Sequence, residues 1–283
     1  MMSDLESLVH FLHRASGLVL DPQKAYLIEG RLSPFMQRAG IRDMAELLNQ
    51  LHRGDKVLKQ SVIDAMMTNE TFFFRDRLPF QNFRTVILPL LIETRRKQRS
   101  LRIWSAAASS GQEPYSIAMM LDQEKEKLAG WSVEILATDL SHTAIESARR
   151  GRYSQFEVQR GLPVSHLMRY FDKDGEAWQI KDHLRAKVRF EHHNLLDNFE
   201  TLGVFDVIFC RNVLIYFDLT TRKNILQRMG HALADHGFFI MGSAETVLGL
   251  SDTLSPHPDL RLVSTHRAMP PLSQGSLSRP AFH

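Results

Sequence analysis

The sequence predicts a doubly wound α/β sheet preceded by an all-helical domain. Three observations carry that expectation. Apolar residues recur at helical spacing through the first hundred positions. From residue 100 onward, short strand-like runs alternate with helical patterns. One of those runs, Phe205-Asp206-Val207-Ile208-Phe209-Cys210, is almost continuously apolar, as strands buried on both faces of a parallel sheet are. The chain of 283 residues is 43% hydrophobic and 24% charged, which excludes global disorder and leaves room for one large domain or two smaller ones. No apolar run approaches the ~20 residues that span a bilayer. Positions 1–20 carry Asp4, Glu6, His10, His13 and Arg14, so they hold no signal-peptide core. The single cysteine, Cys210, excludes an internal disulfide framework and a Cys-built zinc site. A soluble cytoplasmic protein with no membrane insertion is expected. Its net charge of +3 is unevenly spread: residues 1–100 hold 15 Lys/Arg against 11 Asp/Glu, and the remainder holds 20 against 21. The basic third suits an acidic partner as well as it suits plain solvation.

Taken in order, Leu5, Leu8, Val9 and Leu12 mark a first helix that Gly17 ends. Asp21-Pro22 is a helix-start signal for a second, running through Tyr26, Leu27, Leu32, Phe35 and Met36 to Gly40. Its polar positions include Lys24, Arg31 and Arg38, with Arg42 just beyond. Met44, Leu47, Leu48 and Leu51 mark a third helix ending near Gly54, and Val57, Leu58, Val62, Ile63 and Met66 a fourth. These form an expected helical domain over 1–78, followed by a linker helix over 79–99.

The α/β domain is expected over 100–268. Leu101-Arg102-Ile103-Trp104 is its first strand, 113–128 a helix, and Val133-Glu134-Ile135-Leu136-Ala137 a second strand that ends at Asp139. Ser141 is placed to cap the next helix. The stretch 151–186 interrupts the alternation and reads as an inserted subdomain, after which a weak strand at 187–190 rejoins the sheet. After the apolar strand, 220–233 is helical, Asp235-His236-Gly237 is a turn, and 238–241 is a strand. The tail 269–283, with three prolines and three serines, is expected to be disordered.

In such sheets ligands bind beyond the carboxyl ends of the strands. Three strand ends carry suitable groups: Ser105-Ala106-Ala107-Ala108-Ser109-Ser110-Gly111 followed by Gln112 and Glu113; Asp139, placed to accept both hydroxyls of a ribose; and Arg211-Asn212. Neither a glycine-rich phosphate fingerprint nor a Walker lysine is present. A carboxylate at a helix start would repel a pyrophosphate but suits a ligand with a ribose and an amino group. S-adenosylmethionine (SAM) is such a ligand. Asp139 as a mere cap and the alanines as mere packing remain the alternative for these two elements.

Further motifs bear on that choice. Asn69-Glu70-Thr71-Phe72-Phe73-Phe74-Arg75-Asp76, the stretch from Ser105 through Glu113-Pro114-Tyr115-Ser116, and the stretch from Phe205 through Cys210-Arg211-Asn212-Val213-Leu214-Ile215-Tyr216-Phe217-Asp218 occur in the order and spacing of one family. With Ala137-Thr138-Asp139, Gly151-Arg152-Tyr153, Asn194-Leu195-Leu196 and Gly242-Ser243-Ala244-Glu245, they resemble the chemotaxis receptor methyltransferase (CheR) family over roughly 5–266. Gln112 departs from the glutamate of many members and leaves Glu113 in register. The resemblance implies a helical N-terminal domain, a Rossmann-like SAM domain and a small inserted β-subdomain. It implies methyl transfer to glutamate side chains on the cytoplasmic helical bundle of methyl-accepting chemotaxis receptors for sensory adaptation, giving glutamyl methyl esters and S-adenosylhomocysteine. By the same resemblance Asn69, Thr71 and Arg75 would close over the cofactor, Glu113 would meet its amino end, Asp139 its ribose, and Asn194 and Leu195 its adenine. Arg211 and Asn212 would complete the pocket. Lys24, Arg31, Arg38 and Arg42 would form the docking face.

Such a reaction needs no general base, because a glutamate with a pKa near 4.3 is already anionic at neutral pH. Arg75 and Tyr216 are the candidates to orient the incoming carboxylate, and Arg75 could instead hold the carboxylate of the cofactor. Phe72, Phe73 and Phe74 read as packing, Cys210 as a buried small hydrophobe, and His192-His193 lack a third ligand at metal spacing. No metal is expected. A small-acid methyltransferase and a non-catalytic SAM-binding protein are the rivals. A nucleic-acid methyltransferase is disfavoured because Arg211-Asn212-Val213-Leu214 replaces the usual acidic or proline-rich catalytic loop, so no nucleic-acid partner is expected. Few hairpin signals are visible over 153–190, so docking of a receptor tail as an added strand is not expected either.

Overall fold

The computed structural model describes residues 3–20 and 25–267. Four helices open the chain: α1 (Asp4–Ser16), α2 (Ala25–Ala39), α3 (Met44–His52) and α4 (Lys56–Met66). The Ser3 and Glu6 side chains form a reciprocal capping box at the start of α1, and Gly17, at φ 74°, ends it. Leu8, Leu12, Ile28, Leu32, Leu47, Leu51, Val62 and Met66 close one apolar core among the four helices. The start signal Asp21-Pro22, the docking candidate Lys24 and the tail 269–283 lie outside the described residues.

Next, α5 (Leu78–Asn82) continues through a π-helical turn (Phe83–Ile87) into α6 (Leu88–Thr94). Pro89 explains the wide turn: it has no N–H for the carbonyl one α-turn back, and its ring crowds that carbonyl.

The sheet follows: β1 (Ser100–Ala106), α7 (Gln112–Gln123), β2 (Ser132–Asp139) and α8 (His142–Arg150). The inserted subdomain comprises β3 (Arg152–Ser154), α9 (Gln155–Gln159), α10 (Val164–Tyr170), β4 (Phe171–Asp174), β5 (Ala177–Ile180) and α11 (Asp182–Arg185). The chain then returns through β6 (Val188–His192), β7 (Phe205–Cys210), α12 (Leu219–Ala232), β8 (Leu233–Met241), β9 (Leu254–Pro256) and β10 (Val263–His266). The seven-stranded sheet has the order β6-β2-β1-β7-β8-β10-β9. Strands β6 through β8 are parallel; β10 runs antiparallel to both β8 and β9.

Strand β7 is buried at every position and alternates between two cores. Val207 and Phe209 face the side of α5, α7 and the subdomain; Phe205, Ile208 and Cys210 face the side of α12. This is the doubly wound sheet the apolar run predicts. Among the described residues no helix is long and apolar enough to cross a membrane.

Four local expectations need correction. The helix expected over 113–128 ends at Gln123. The turn expected at 235–237 falls inside β8, where extra residues sit between the Leu233 and Phe238 pairings. Strands β9 and β10 were not foreseen, being short and weakly patterned. The subdomain does contain a hairpin: Asp174 pairs with Ala177 across a two-residue loop that begins at Gly175, φ 61°. Asp174-Gly175 was a usable signal for it.

Candidate functional site

All the parallel strands present their carboxyl ends at one edge, and one cavity opens there between the helical domain and the sheet. Asn69, Thr71, Arg75, Glu113, Asp139, Asn194, Leu195, Arg211, Asn212 and Tyr216 all line it. These are the cofactor and catalytic candidates of the sequence, drawn from five separate segments. How each is held differs from what the sequence suggests.

Asp139 ends β2 and is buried. Its Oδ2 accepts the Ser109 N–H at 2.8 Å and its Oδ1 accepts the Ser141 N–H at 2.8 Å. Burial pushes its carboxyl above the ordinary range, although these backbone donors pull the other way. Ser109, at φ 51°, also donates its hydroxyl to the Asn69 carbonyl at 3.0 Å, so the β1–α7 loop holds the interdomain segment against the cavity. Each Asp139 oxygen keeps a lone pair for a diol.

Glu113 stands in the first turn of α7. Its Oε1 accepts the Ser105 hydroxyl at 2.8 Å, and its Oε2 accepts Nη1 of Arg211 at 2.8 Å. Arg211 is the most enclosed charge here, its side chain only 2% exposed. Its Nη2 donates to the Arg75 carbonyl at 2.6 Å and to Asp76 Oδ2 at 2.9 Å, and its guanidinium lies 5.3 Å from the centre of the Phe80 ring. Arg211 is therefore a clamp: it fixes Glu113 and the bend carrying Arg75. That bend contains Phe74, Asp76 and Arg77, all at positive φ. The sequence placed Arg211 in the pocket without revealing that Asp76 is its partner.

Arg75 donates to the Glu70 carbonyl at 2.9 Å and passes 5.5 Å from the Phe72 ring. Arg160, from the subdomain, pairs with Glu70 and lies 4.7 Å from the same ring. Phe73 is fully buried, edge-on to Tyr153 and Phe171 at 5.1 and 5.6 Å. Asn194 spends its amide on the helical domain, Nδ2 donating to the Ala15 carbonyl at 2.8 Å. The Val19 N–H donates to the Tyr216 carbonyl at 3.0 Å. Gly17 packs onto Phe217 so closely that a Cβ there would meet the ring at 2.7 Å. Through these contacts Ser16 and Leu18 also line the cavity, which no sequence signal indicated.

Two residues treated alike in sequence separate here. Arg31 is exposed but tied down: Nη1 donates to the Met66 carbonyl at 2.6 Å and Nη2 to the Thr68 hydroxyl at 3.0 Å, and Thr68 lines the cavity. Arg38 is exposed, while Arg42 pairs with Glu46 at 2.9 Å. Among the described residues Arg31, Arg38 and Arg42 of the expected basic face are all exposed, Arg31 held by its two hydrogen bonds and Arg42 by its ion pair. Cys210 is fully buried and burial pushes its thiol up, which removes it from chemistry.

The cavity's charges are Glu70, Glu113 and Asp139 against Arg75 and Arg211. One negative charge remains. SAM, with a sulfonium, an ammonium and a carboxylate, carries one positive charge, and the donor set suits it.

The family model described as the CheR methyltransferase SAM-binding domain matches residues 69–259, and that of the CheR methyltransferase all-alpha domain matches residues 3–67. Chemotaxis protein methyltransferase Cher2 of Pseudomonas putida is 41% identical over 256 residues, covering 88% of this chain and 92% of the relative. Chemotaxis protein methyltransferase 1 of Pseudomonas aeruginosa is 42% identical over 254 residues, with the same two coverages. The chemotaxis protein methyltransferase of Vibrio parahaemolyticus is 38% identical over 246 residues, covering 86% and 88%.

Proposed function

The chain belongs to the CheR methyltransferase family, and on that premise we propose that it methylates glutamate side chains of chemotaxis receptors with SAM. The products would be a glutamyl methyl ester and S-adenosylhomocysteine. The observation that carries the proposal is the single cavity that gathers Asp139, Glu113, Arg75 and Tyr216 at the carboxyl edge of the sheet, with one net negative charge.

Bound SAM supplies an electrophilic methyl on a positively charged sulfur. Asp139 offers two oxygens to the ribose, and the Glu113–Arg211 pair presents a fixed carboxylate to the amino end. Leu195 and the backbone around Asn194 form the wall for the base. Arg75 and Tyr216 orient the acceptor carboxylate, which arrives ionised and needs no base. Alignment of acceptor, methyl and sulfur is the main catalytic contribution, worth about 7–11 kcal/mol in well-oriented systems. Ser16 and Leu18 from the helical side and Phe217 from the loop after β7 line the cavity and limit water, which would otherwise solvate the acceptor carboxylate and blunt it. The acceptor sits on an acidic helical bundle in the cytoplasm, and Arg38 on α2 is an exposed cation available to meet it.

Calorimetric titration with SAM and S-adenosylhomocysteine, with and without a receptor cytoplasmic fragment, tests the proposal. Expected are micromolar or tighter binding and base-labile methyl incorporation into the fragment. Binding without transfer would reject the receptor as substrate, and no binding would reject the cofactor assignment too.

A further inference from the structure

The loop that carries Asn212, Val213 and Tyr216 into the cavity is held by a residue outside it. Glu245 Oε2 accepts the N–H groups of Asn212 and Gly242, both at 2.8 Å. Its Oε1 accepts those of Val213 at 3.0 Å and Leu214 at 2.8 Å. Three successive N–H groups turned to one side make a concavity suited to an anion. Asn212, at φ 58°, produces that concavity, and the chain fills it with its own carboxylate. The short 3-10 turn Leu214–Tyr216 begins on the last of these donors. Gly242 makes the approach possible. A Cβ there would stand 2.8 Å from both Asn212 Nδ2 and Glu245 Oε2, and 3.0 Å from Asn212 N.

We propose that Glu245 is a positioning residue for methyl transfer: by gathering the N–H groups of residues 212–214 it sets the distance of Asn212, Val213 and Tyr216 from the bound cofactor and acceptor. Glu245 is absent from the cavity lining, so it acts only through that loop. Its kinetic readout rests on the methyltransferase function proposed above and its affinity readout on the cofactor proposed there; amide exchange at 212–214 rests on neither.

Glu245→Gln keeps the volume and replaces one acceptor oxygen by an NH2 group, which faces two N–H donors head-on. Amide hydrogen exchange at 212–214 should accelerate, S-adenosylhomocysteine affinity should weaken about tenfold, and kcat should fall about 10- to 100-fold, the scale of a 1 Å displacement in an active site. Gly242→Ala leaves the carboxylate charge in place and wedges the same contact open, so the same pattern is expected; it carries the test if Glu245→Gln fails to fold. Faster exchange with kcat and affinity both within twofold of wild type would reduce Glu245 to a structural anchor and overturn the proposal. Should the wild-type protein transfer no methyl group to receptor glutamates, the affinity arm decides alone: a tenfold loss supports positioning, and an unchanged value overturns it.

Discussion

Replacing Arg211 by methionine strips two carboxylates of their shared cation while keeping an apolar stem beside Phe80. The side chain of Glu113 is 12% exposed and that of Asp76 29%. Removing one partner of a buried pair costs about 3–5 kcal/mol, because the other charge stays behind unpaired. Asp76 regains part of its hydration, so most of the loss belongs to Glu113 and the lower end of that range, about 3 kcal/mol, is expected. At about 2–4 °C per kcal/mol for a chain of this order, the melting temperature should drop by about 6–12 °C. Urea unfolding followed by tryptophan fluorescence reads the loss directly, since Trp104 is fully buried in the sheet. Glu113→Gln added to Arg211→Met removes the stranded charge and should restore about 1–2 kcal/mol. A single-variant loss below about 1 kcal/mol, or a double variant whose losses simply add, would refute the clamp.

Asp139→Asn should weaken S-adenosylhomocysteine binding at least tenfold and, because its NH2 faces one of the two N–H groups that Asp139 accepts, cost about 1–3 kcal/mol of stability; equal affinity in titration would remove Asp139 from the ribose site. Because burial raises its carboxyl, cofactor affinity of the wild type should begin to fall at a pH above the ordinary carboxylate value of about 3.9; a pH series of titrations that stays flat down to that value contradicts this. Arg31→Gln should weaken cofactor binding through Thr68, whereas Arg38→Glu should lower receptor methylation at unchanged cofactor affinity; the reverse pattern would restore Arg31 to the docking face. Burial alone would raise the Asp206 carboxyl, but His236 at 2.8 Å, the Arg102 N–H at 2.7 Å and Arg95 at 3.2 Å outweigh it and hold it low. A carboxyl depressed on folding stabilises the fold above its unfolded pKa of about 3.9 and loses that contribution as pH falls through the folded value. Asp206→Asn should therefore be less stable at pH 7 and lose less between pH 5 and pH 3; parallel melting curves for the two proteins would contradict this.

Periodicity determined much of the fold from the sequence. The spacing of Leu8, Leu12, Leu47 and Leu51, and the nearly continuous apolar run from Phe205 to Cys210, each favour one way to bury their apolar side. Asp139, Glu113 and Arg211 were legible as residues of one cavity because strand ends in a parallel sheet converge whatever the loops do. Strands β9 and β10 were not, since three or four residues carry too little period to exceed local noise, and the β4–β5 hairpin was marked only by Asp174-Gly175 at its turn. Only the tertiary structure decided which group faces which. Arg31 and Arg38 sit seven residues apart on one helix and are both exposed, yet Arg31 is held by the Met66 carbonyl and the Thr68 hydroxyl. Glu245 and the N–H groups of 212–214 are 31 to 33 residues apart in the chain and touch because β7 and β8 are neighbours. Local sequence specifies elements through short-range sterics and hydrophobic period, while the partner of a charge depends on chain segments that meet only after the sheet has closed.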